Sequence, residues 1–498
     1  MPTEPARPLP AGRPADEVLA ELRGLRAADA PTRGGRTFAY VYDAGLEGLD
    51  ELAAAAYTAY ATVNGLDPTV FPSVARLEND LVRAVAALLG APGAQGTFTS
   101  GGTESIMLAV KAARDHARAE RGVTAPQVVL PSTAHAAFHK AAHYLGLETV
   151  VVPVDPATFR ADAQAVGAAI GDRTALVVAS APSYAHGVID PVAEIAGAAA
   201  RRGVLCHVDA CIGGWLLPYL RRTGRPVPPF DLSVPGVTSL SVDLHKYAYA
   251  DKGASVVLYR DAGLRRHQYF AHAGWPGYPV VNPTVQGTKS GGLLAQAWAV
   301  LQHVGDDGYT ALAARVGEAS DRLLAGLRSA DGVRVLGEPA AGLVAFTVTG
   351  AAGHDATAGR GRPDLSLLLH LADEMRGRGW YLQPQLSFDG LPPNLHLTLT
   401  PATVGRVDAL LKDLAEALSA ARALPPVTVD PAVLALAGGL DPATLGPDEV
   451  AAVLAFAGLD GDAGLPARTA PVLVLLDALP QPLKERLLTE FVGSVFRI

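Results

Sequence analysis

Lys246 closes a short apolar run, Ser241-Val242-Asp243-Leu244-His245-Lys246-Tyr247. A lysine held at the edge of a buried cavity can lose its proton and condense with an aldehyde. Upstream, Leu205-Cys206-His207-Val208-Asp209-Ala210-Cys211 carries an acid, Asp209, at the end of another apolar run. Earlier still, Thr99-Ser100-Gly101-Gly102-Thr103-Glu104-Ser105 precedes the helical run from Ile106 to Ala119. Glycines that open a helix let its free N–H groups close on a phosphate, and the helix dipole favours the anion. Taken singly, each motif has an ordinary explanation: a solvated lysine, an acid capping the next element, a capped helix start.

One cofactor explains the three together. Pyridoxal phosphate needs an amine for its aldehyde, an acid beside its pyridine nitrogen and a helix start for its phosphate. Lys246, Asp209 and the pair Gly102 and Thr103 supply these in order, each at the end of a predicted strand. His135, His139 and His143 repeat every four residues, so on a helix they share one face and imitate a metal site. No acidic or Cys partner accompanies them, and the expectation is no metal, with His135 alone stacked on the pyridine ring. Cys206 and Cys211 lack the second ligand pair of a zinc site. Two cysteines make no disulfide framework, which points to a reducing compartment. They read as small core residues beside Asp209.

Periodicity supplies the scaffold for these groups. Apolar runs rich in Val and Leu (Gln127 to Leu130, Thr149 to Pro153, Thr174 to Ala179, Val204 to Val208, Ser239 to Val242, Ala254 to Tyr259) alternate with helix-like segments. The pattern predicts an α/β protein whose mostly parallel sheet is covered on both faces. Ligands of such sheets lie at the carboxyl ends of the strands. The predicted division is residues 1–90 for an N-terminal arm and helices, 91–305 for the large cofactor-binding domain, and 306–424 for a smaller α+β domain. Residues 425–498 complete it as a tail of short amphipathic helices. Within the first unit, residues 1 to about 35 are Pro- and Arg-rich and read as a flexible arm, followed by helices over Gly48–Val63 and Ser73–Leu89.

The chain has 498 residues and a net charge of -8. That balance argues against nucleic acid or an anionic membrane as main partner, since both require a basic footprint. Apolar residues make up 49% and charged ones 18%, which suits a large buried core and not a disordered polymer. No stretch offers the ~20 apolar residues of a membrane span, and the start has no apolar run of a signal peptide. A cytoplasmic, soluble enzyme acting on a small-molecule amine is expected.

The chain resembles the sphingosine-1-phosphate lyase branch of the pyridoxal-phosphate decarboxylases over roughly Tyr42 to Leu424. The residues carrying the resemblance are Val70 to Ser73, Thr99 to Ile106, Ala134 to Ala142, and Pro182 to Pro191 with His186, Gly187 and Asp190. His207 to Gly214, His245 to Arg260 and Gly287 to Gly292 complete it. The resemblance implies the aspartate-aminotransferase fold (fold type I) and a homodimer with its sites at the interface. It implies that Lys246 bonds the cofactor, Asp209 faces the pyridine nitrogen and His135 stacks on the ring. Gly102, Thr103 and His245 would hold the phosphate, with Thr288 reaching across from a second subunit. Tyr42 and Lys252 would handle the substrate's phosphate end or its proton transfers, and Tyr249 and His186 would add further contacts.

The implied reaction is retro-aldol cleavage of a phosphorylated long-chain 2-amino-3-hydroxy compound to an aldehyde and phosphoethanolamine. Amino-acid decarboxylation on the same fold is the alternative. A third reading, a non-catalytic fold kept for partner binding, is disfavoured because Lys246, Asp209 and His135 are all present. Departures bear on substrate. Asp67 stands where the lyases usually have His, replacing attraction for a phosphate by repulsion. Lys289 replaces an Arg and loses its bidentate fork. Ala248 replaces a Gly after His-Lys-Tyr, the loop Trp275 to Pro283 is shortened, and the membrane anchor of the animal enzymes is missing.

Overall fold

The computed structural model describes residues 12–355, 360–446, 449–450 and 466–496. Its large domain is built on seven strands: β1 (Gln95–Thr99), β2 (Gln127–Pro131), β3 (Glu148–Val152), β4 (Thr174–Ser180), β5 (Leu205–Asp209), β6 (Ser239–Asp243) and β7 (Ser255–Tyr259). They are ordered β1-β7-β6-β5-β4-β2-β3, and β7 runs antiparallel to both of its neighbours while the remaining pairs are parallel. Every residue of β4, β6 and β7 is buried, as continuous apolar runs with helices on both faces require. Six of the seven strands fall where their apolar runs predict them. β1 was not among them, because Gln95-Gly96-Thr97-Phe98-Thr99 has no Val/Leu run. Its Gly96 is dictated by packing: a Cβ there would stand 2.6 Å from Leu258 and 2.8 Å from Val82.

The helices Leu49–Tyr60 and Pro72–Leu88 appear close to their expected bounds. The N-terminal arm needs a correction. It is not featureless, since Ala15–Leu25 forms a helix whose apolar side chains Val18, Leu19, Leu22 and Leu25 are all exposed. The first eleven residues of that arm lie outside the described residues. A second correction concerns the histidines. The helix after β2 begins at Ala137, so His135 precedes it and does not share a helical face with His139 and His143. Among the described residues no group of His, Cys, Asp or Glu could hold a metal ion, and no helix is long and apolar enough to cross a membrane.

A long helix, Gly291–Ser329, bends at Gly305 (φ 61°, ψ 177°) and carries the chain into the smaller unit. There Val333–Val335, Leu343–Asp355, Asn394–Thr398 and Gln383–Gln385 form an antiparallel sheet, extended by Arg360–Pro363 on Leu343–Asp355. Helices Leu365–Gly377 and Val407–Arg422 contribute with it to a second core around Phe346, Leu368 and Leu414. The tail helices Pro431–Gly438, Ala470–Ala478 and Gln481–Val495 include apolar residues that cluster with Leu386 of this unit. Asp373 caps the second of them, accepting the N–H groups of Thr469 and Ala470, both at 3.0 Å.

Candidate active site

Because β5 and β6 are adjacent and parallel, the turns after them emerge side by side at their carboxyl ends. Asp209 ends β5, and its Oδ1 accepts the Cys211 N–H at 3.1 Å. Lys246 lies on the turn after β6, where its N–H donates to the Asp243 carbonyl at 3.3 Å. From the other side, β1 delivers the chain to Gly101 (φ 155°), and the helix Gly102–Arg121 starts at once without a side-chain cap. Gly102, Thr103, His135, Asp209, His245 and Lys246 line one cavity of about 320 Å³. The structure thus brings together six of the residues singled out from sequence.

Tyr42 and Lys252 do not line this cavity, but both lie close enough to Lys246 to feel its charge. Tyr42 packs edge-on against Tyr247 at 5.1 Å, and the Lys252 ammonium sits 4.9 Å from the Tyr42 ring centre. Desolvation raises the Tyr42 hydroxyl to about 12, with Lys246 opposing. Desolvation, aided by the nearby Lys246 charge, lowers Lys252 to about 8. Tyr249 goes elsewhere. It adopts φ 58° and is buried between Tyr247 and Tyr309, each 6.4 Å away, without lining the cavity. Thr288 is exposed and also lines no part of it. Ala248 is fully buried, and its carbonyl accepts the Tyr309 hydroxyl at 2.8 Å.

The two substrate-related departures are accounted for locally. Lys289 is buried, and its ammonium donates to Glu78 at 2.7 Å and to the Phe98 carbonyl at 3.0 Å, so its charge is neutralised inside the chain. Asp67 is exposed, and hydrogen bonds from the Thr69 hydroxyl (2.6 Å) and N–H (2.8 Å) hold its carboxyl below the usual range. Both line a separate cavity of about 660 Å³.

Two residues with structural work in the site were not singled out from sequence. Asp243 is buried, with Oδ2 3.0 Å from the Lys246 ammonium and 3.6 Å from His245 Nε2. Burial disfavours both charges most strongly, but their mutual attraction together with that of neighbouring groups overcomes it: Lys246 is held above its ordinary value and Asp243 below it. The other is Glu104, whose Oε2 accepts the Ser100 N–H at 2.6 Å while Oε1 accepts the Val285 N–H at 2.8 Å. It ties the glycine turn to the segment that leads to Thr288. Its signal in the sequence was an acid at the third helical position, the capping-box place. Replacing Glu104 by Gln leaves one acceptor oxygen for two N–H groups. The expected result is about tenfold weaker cofactor binding in a spectral titration, with stability lowered by about 1–3 kcal/mol. Unchanged affinity would mean that the turn holds itself.

The residues present fit pyridoxal phosphate. The uncapped helix start offers free N–H groups, and a Cβ at Gly102 would stand 2.7 Å from Cys211 Sγ and 2.9 Å from either Asp243 oxygen. His245 Nδ1 is buried with no partner among the described residues, and its ring borders the Gly101 turn at 3.7 Å from the Cβ position there. An anion at the turn would complete these donors, next to an amine and an acid set for an aldehyde-bearing pyridine.

A fold type I sheet with this lysine, acid and phosphate turn defines a pyridoxal-phosphate enzyme. The pyridoxal-dependent decarboxylase conserved domain matches residues 32–349, and a pyridoxal-dependent enzyme C-terminal putative HTH domain matches 431–494. A sphingosine-1-phosphate lyase of Arabidopsis thaliana is 40% identical over 420 residues, 83% of this chain and 74% of that protein. The rat sphingosine-1-phosphate lyase 1 is 37% identical over 81% of this chain and 68% of its own length. A solved sphingosine-1-phosphate lyase of Burkholderia pseudomallei superposes with a TM-score of 0.76 at 36% identity, covering 84% of this chain and 94% of that one. Glutamate decarboxylase of Lactobacillus brevis, at 19% identity and TM-score 0.71, shares the fold. The chain belongs to the pyridoxal-dependent decarboxylase family, in its sphingosine-1-phosphate lyase branch, and is a pyridoxal-phosphate-dependent lyase.

Proposed function

We propose that the protein cleaves the Cα–Cβ bond of a phosphorylated long-chain 2-amino-3-hydroxy compound, releasing a long-chain aldehyde and phosphoethanolamine. The observation that carries this reading is the pairing of Tyr42 with Lys252 beside Lys246, in a chain 33–40% identical to plant, animal and yeast sphingosine-1-phosphate lyases. When bound, the cofactor supplies the electron sink for the broken bond. Lys246 would bond it, Gly102, Thr103 and His245 would hold its phosphate, His135 would face its ring, and Asp209 would keep its pyridine nitrogen protonated. Lys252, neutral in part near pH 7, takes the proton of the 3-hydroxyl as the carbon–carbon bond opens. Tyr42 stays protonated and donates a hydrogen bond beside Lys252.

This assignment sets a pH dependence. With Lys252 acting as base, turnover rises as the pH increases through about 8, the value to which desolvation lowers it. Lys252→Gln is expected to flatten that limb and to slow turnover about 100-fold. An unaltered profile in the variant would assign the base elsewhere.

We also propose a homodimer whose partner completes the site. Exposed apolar side chains on and around the hairpin Phe270–His272/Val280–Asn282, among them Trp275, Tyr278, Val281 and Val285, flank the exposed Thr288. Buried free cysteines suit a cytoplasmic setting. The C-terminal segment 431–494 carries eight acidic against three basic side chains, the wrong sign for reading a nucleic acid.

The test is product analysis by mass spectrometry after incubating the cofactor-loaded protein with sphinganine 1-phosphate. Long-chain aldehyde with phosphoethanolamine is the expected outcome, and Lys246→Ala should produce neither. No turnover by a protein that still shows the lysine-bound cofactor band would turn the assignment to amino-acid decarboxylation, scored by released carbon dioxide.

A further inference from the structure

A cavity of about 380 Å³ opens where the long helix Gly291–Ser329 bends, and it shares no residue with the cofactor cavity. Leu88, Trp215, Leu301 and Tyr309 line it, and Gly305, the bend itself, forms part of the wall. Trp215 is only 3% exposed, yet its indole N–H has no hydrogen-bond partner among the described residues. An indole nitrogen can only donate, so burial without an acceptor is costly. A cavity beside such a donor is where an acceptor can be supplied.

The rest of the lining sets the chemistry of that acceptor. The only charged side chains that line the cavity are Arg222 and Asp306, and they are hydrogen-bonded to each other. Both tyrosine hydroxyls are engaged as donors, Tyr219 to Asp306 at 3.3 Å and Tyr309 to the Ala248 carbonyl at 2.8 Å. A water on the indole would therefore find few of the two to four polar partners that hold a buried water. Leu88 and Leu301 offer aliphatic surface instead.

Tyr309 joins this cavity to the turn that carries Lys246. Its hydroxyl holds Ala248, two residues beyond the lysine, and its ring lies 10° from parallel with that of Tyr249. Trp215 meets the same ring edge-on at 5.1 Å. An occupant also bears on Gly305, where the helix turns towards the smaller unit.

We propose that this cavity is a regulatory site for a small uncharged molecule with an apolar body and one carbonyl oxygen. The carbonyl accepts the Trp215 N–H, the body lies against Leu88 and Leu301, and occupancy is felt through Tyr309 at the Lys246 turn. A carboxylate or an amine gains nothing, since Arg222 and Asp306 already neutralise each other. Binding here is independent of the reaction proposed above.

The probe is ε-caprolactam, titrated into cofactor-loaded protein that is isotope-labelled at its four tryptophan indole nitrogens. One indole N–H resonance, the one absent from Trp215→Phe, should move downfield and saturate. Trp215→Phe keeps an aromatic ring and loses the donor, and should bind about three- to tenfold more weakly by saturation-transfer NMR of the lactam. Ala87→Leu fills the cavity from an exposed position and should abolish binding with the indole donor intact. In the wild type, saturation should also change the intensity of the lysine-bound cofactor band. Tyr309→Phe, without its hydroxyl on the Ala248 carbonyl, should bind the lactam and lose that change. No saturable shift of the Trp215 resonance, or equal affinity in wild type, Trp215→Phe and Ala87→Leu, would overturn the site. Binding that leaves the band unaltered would overturn its regulatory role.

Discussion

Asp209→Asn is expected to slow turnover by about 10²–10³-fold while leaving the lysine-bound cofactor band in place. The carboxylate ends β5 beside the cavity, where its Oδ1 is fixed by the Cys211 N–H at 3.1 Å. The adjoining parallel strands β4 and β6 confine it on both sides, so it cannot move away from the position it was folded into. An amide of the same shape retains that hydrogen bond and the packing, so the fold and the capture of the cofactor by Lys246 should survive. What is lost is the negative charge that would keep the nitrogen of a bound pyridine protonated. Removing a single preorganised electrostatic partner of this kind typically costs two to three orders of magnitude in rate. Steady-state turnover and the visible spectrum, measured on the same loaded sample, separate the two effects. A variant within threefold of the wild type would remove Asp209 from the ring nitrogen, and loss of the band would show a structural role instead.

Asp209 and Lys246 were legible in the sequence because both stand at strand ends, and strands that are continuous apolar runs announce their carboxyl ends. The phosphate turn was legible for a related reason: two glycines before a helical period admit few alternatives. Helix bounds were less exact for the histidines, because a four-residue spacing looks the same whether or not the helix has begun. The substrate-facing departures misled in part. Lys289 looks like a weakened phosphate ligand until its partner is seen, and Glu78 lies more than two hundred residues away in the chain. Asp67 likewise looks like a repulsive charge in the site, yet it stabilises its own turn. Tyr249 sits three residues from Lys246, and only the left-handed backbone at that position shows that it turns inward, towards Tyr309. Local motifs report local geometry. Partners distant in sequence, as in the Glu104–Val285 and Lys289–Glu78 contacts, require the fold.

Asp243→Asn is expected to accelerate cofactor capture at pH 7 by about tenfold or more. Capture requires the neutral amine, because only a lone pair can attack the aldehyde. In the cofactor-free chain Lys246 is an ammonium bound to Asp243 at 3.0 Å. Burial would by itself lower the lysine, but the attraction of Asp243, together with those of Tyr42, Cys211 and Asp209, raises it above its usual value of 10.5. At pH 7 the neutral fraction is therefore very small, and each unit of pH adds tenfold. With Asn at 243 the largest of the attractions that hold the lysine up is lost while that of Asp209 remains, so Lys246 moves downward. The neutral fraction at pH 7 rises accordingly. Stopped-flow mixing of stripped protein with pyridoxal phosphate across pH 6 to 9 reads this as the growth rate of the visible band. The wild-type rate should climb steadily over that range, and the variant should be faster at every pH in it. Equal rates at pH 7 would mean that delivery of the aldehyde, not the charge on Lys246, limits capture. A variant slower than wild type would mean that Asp243 positions the lysine more than it charges it.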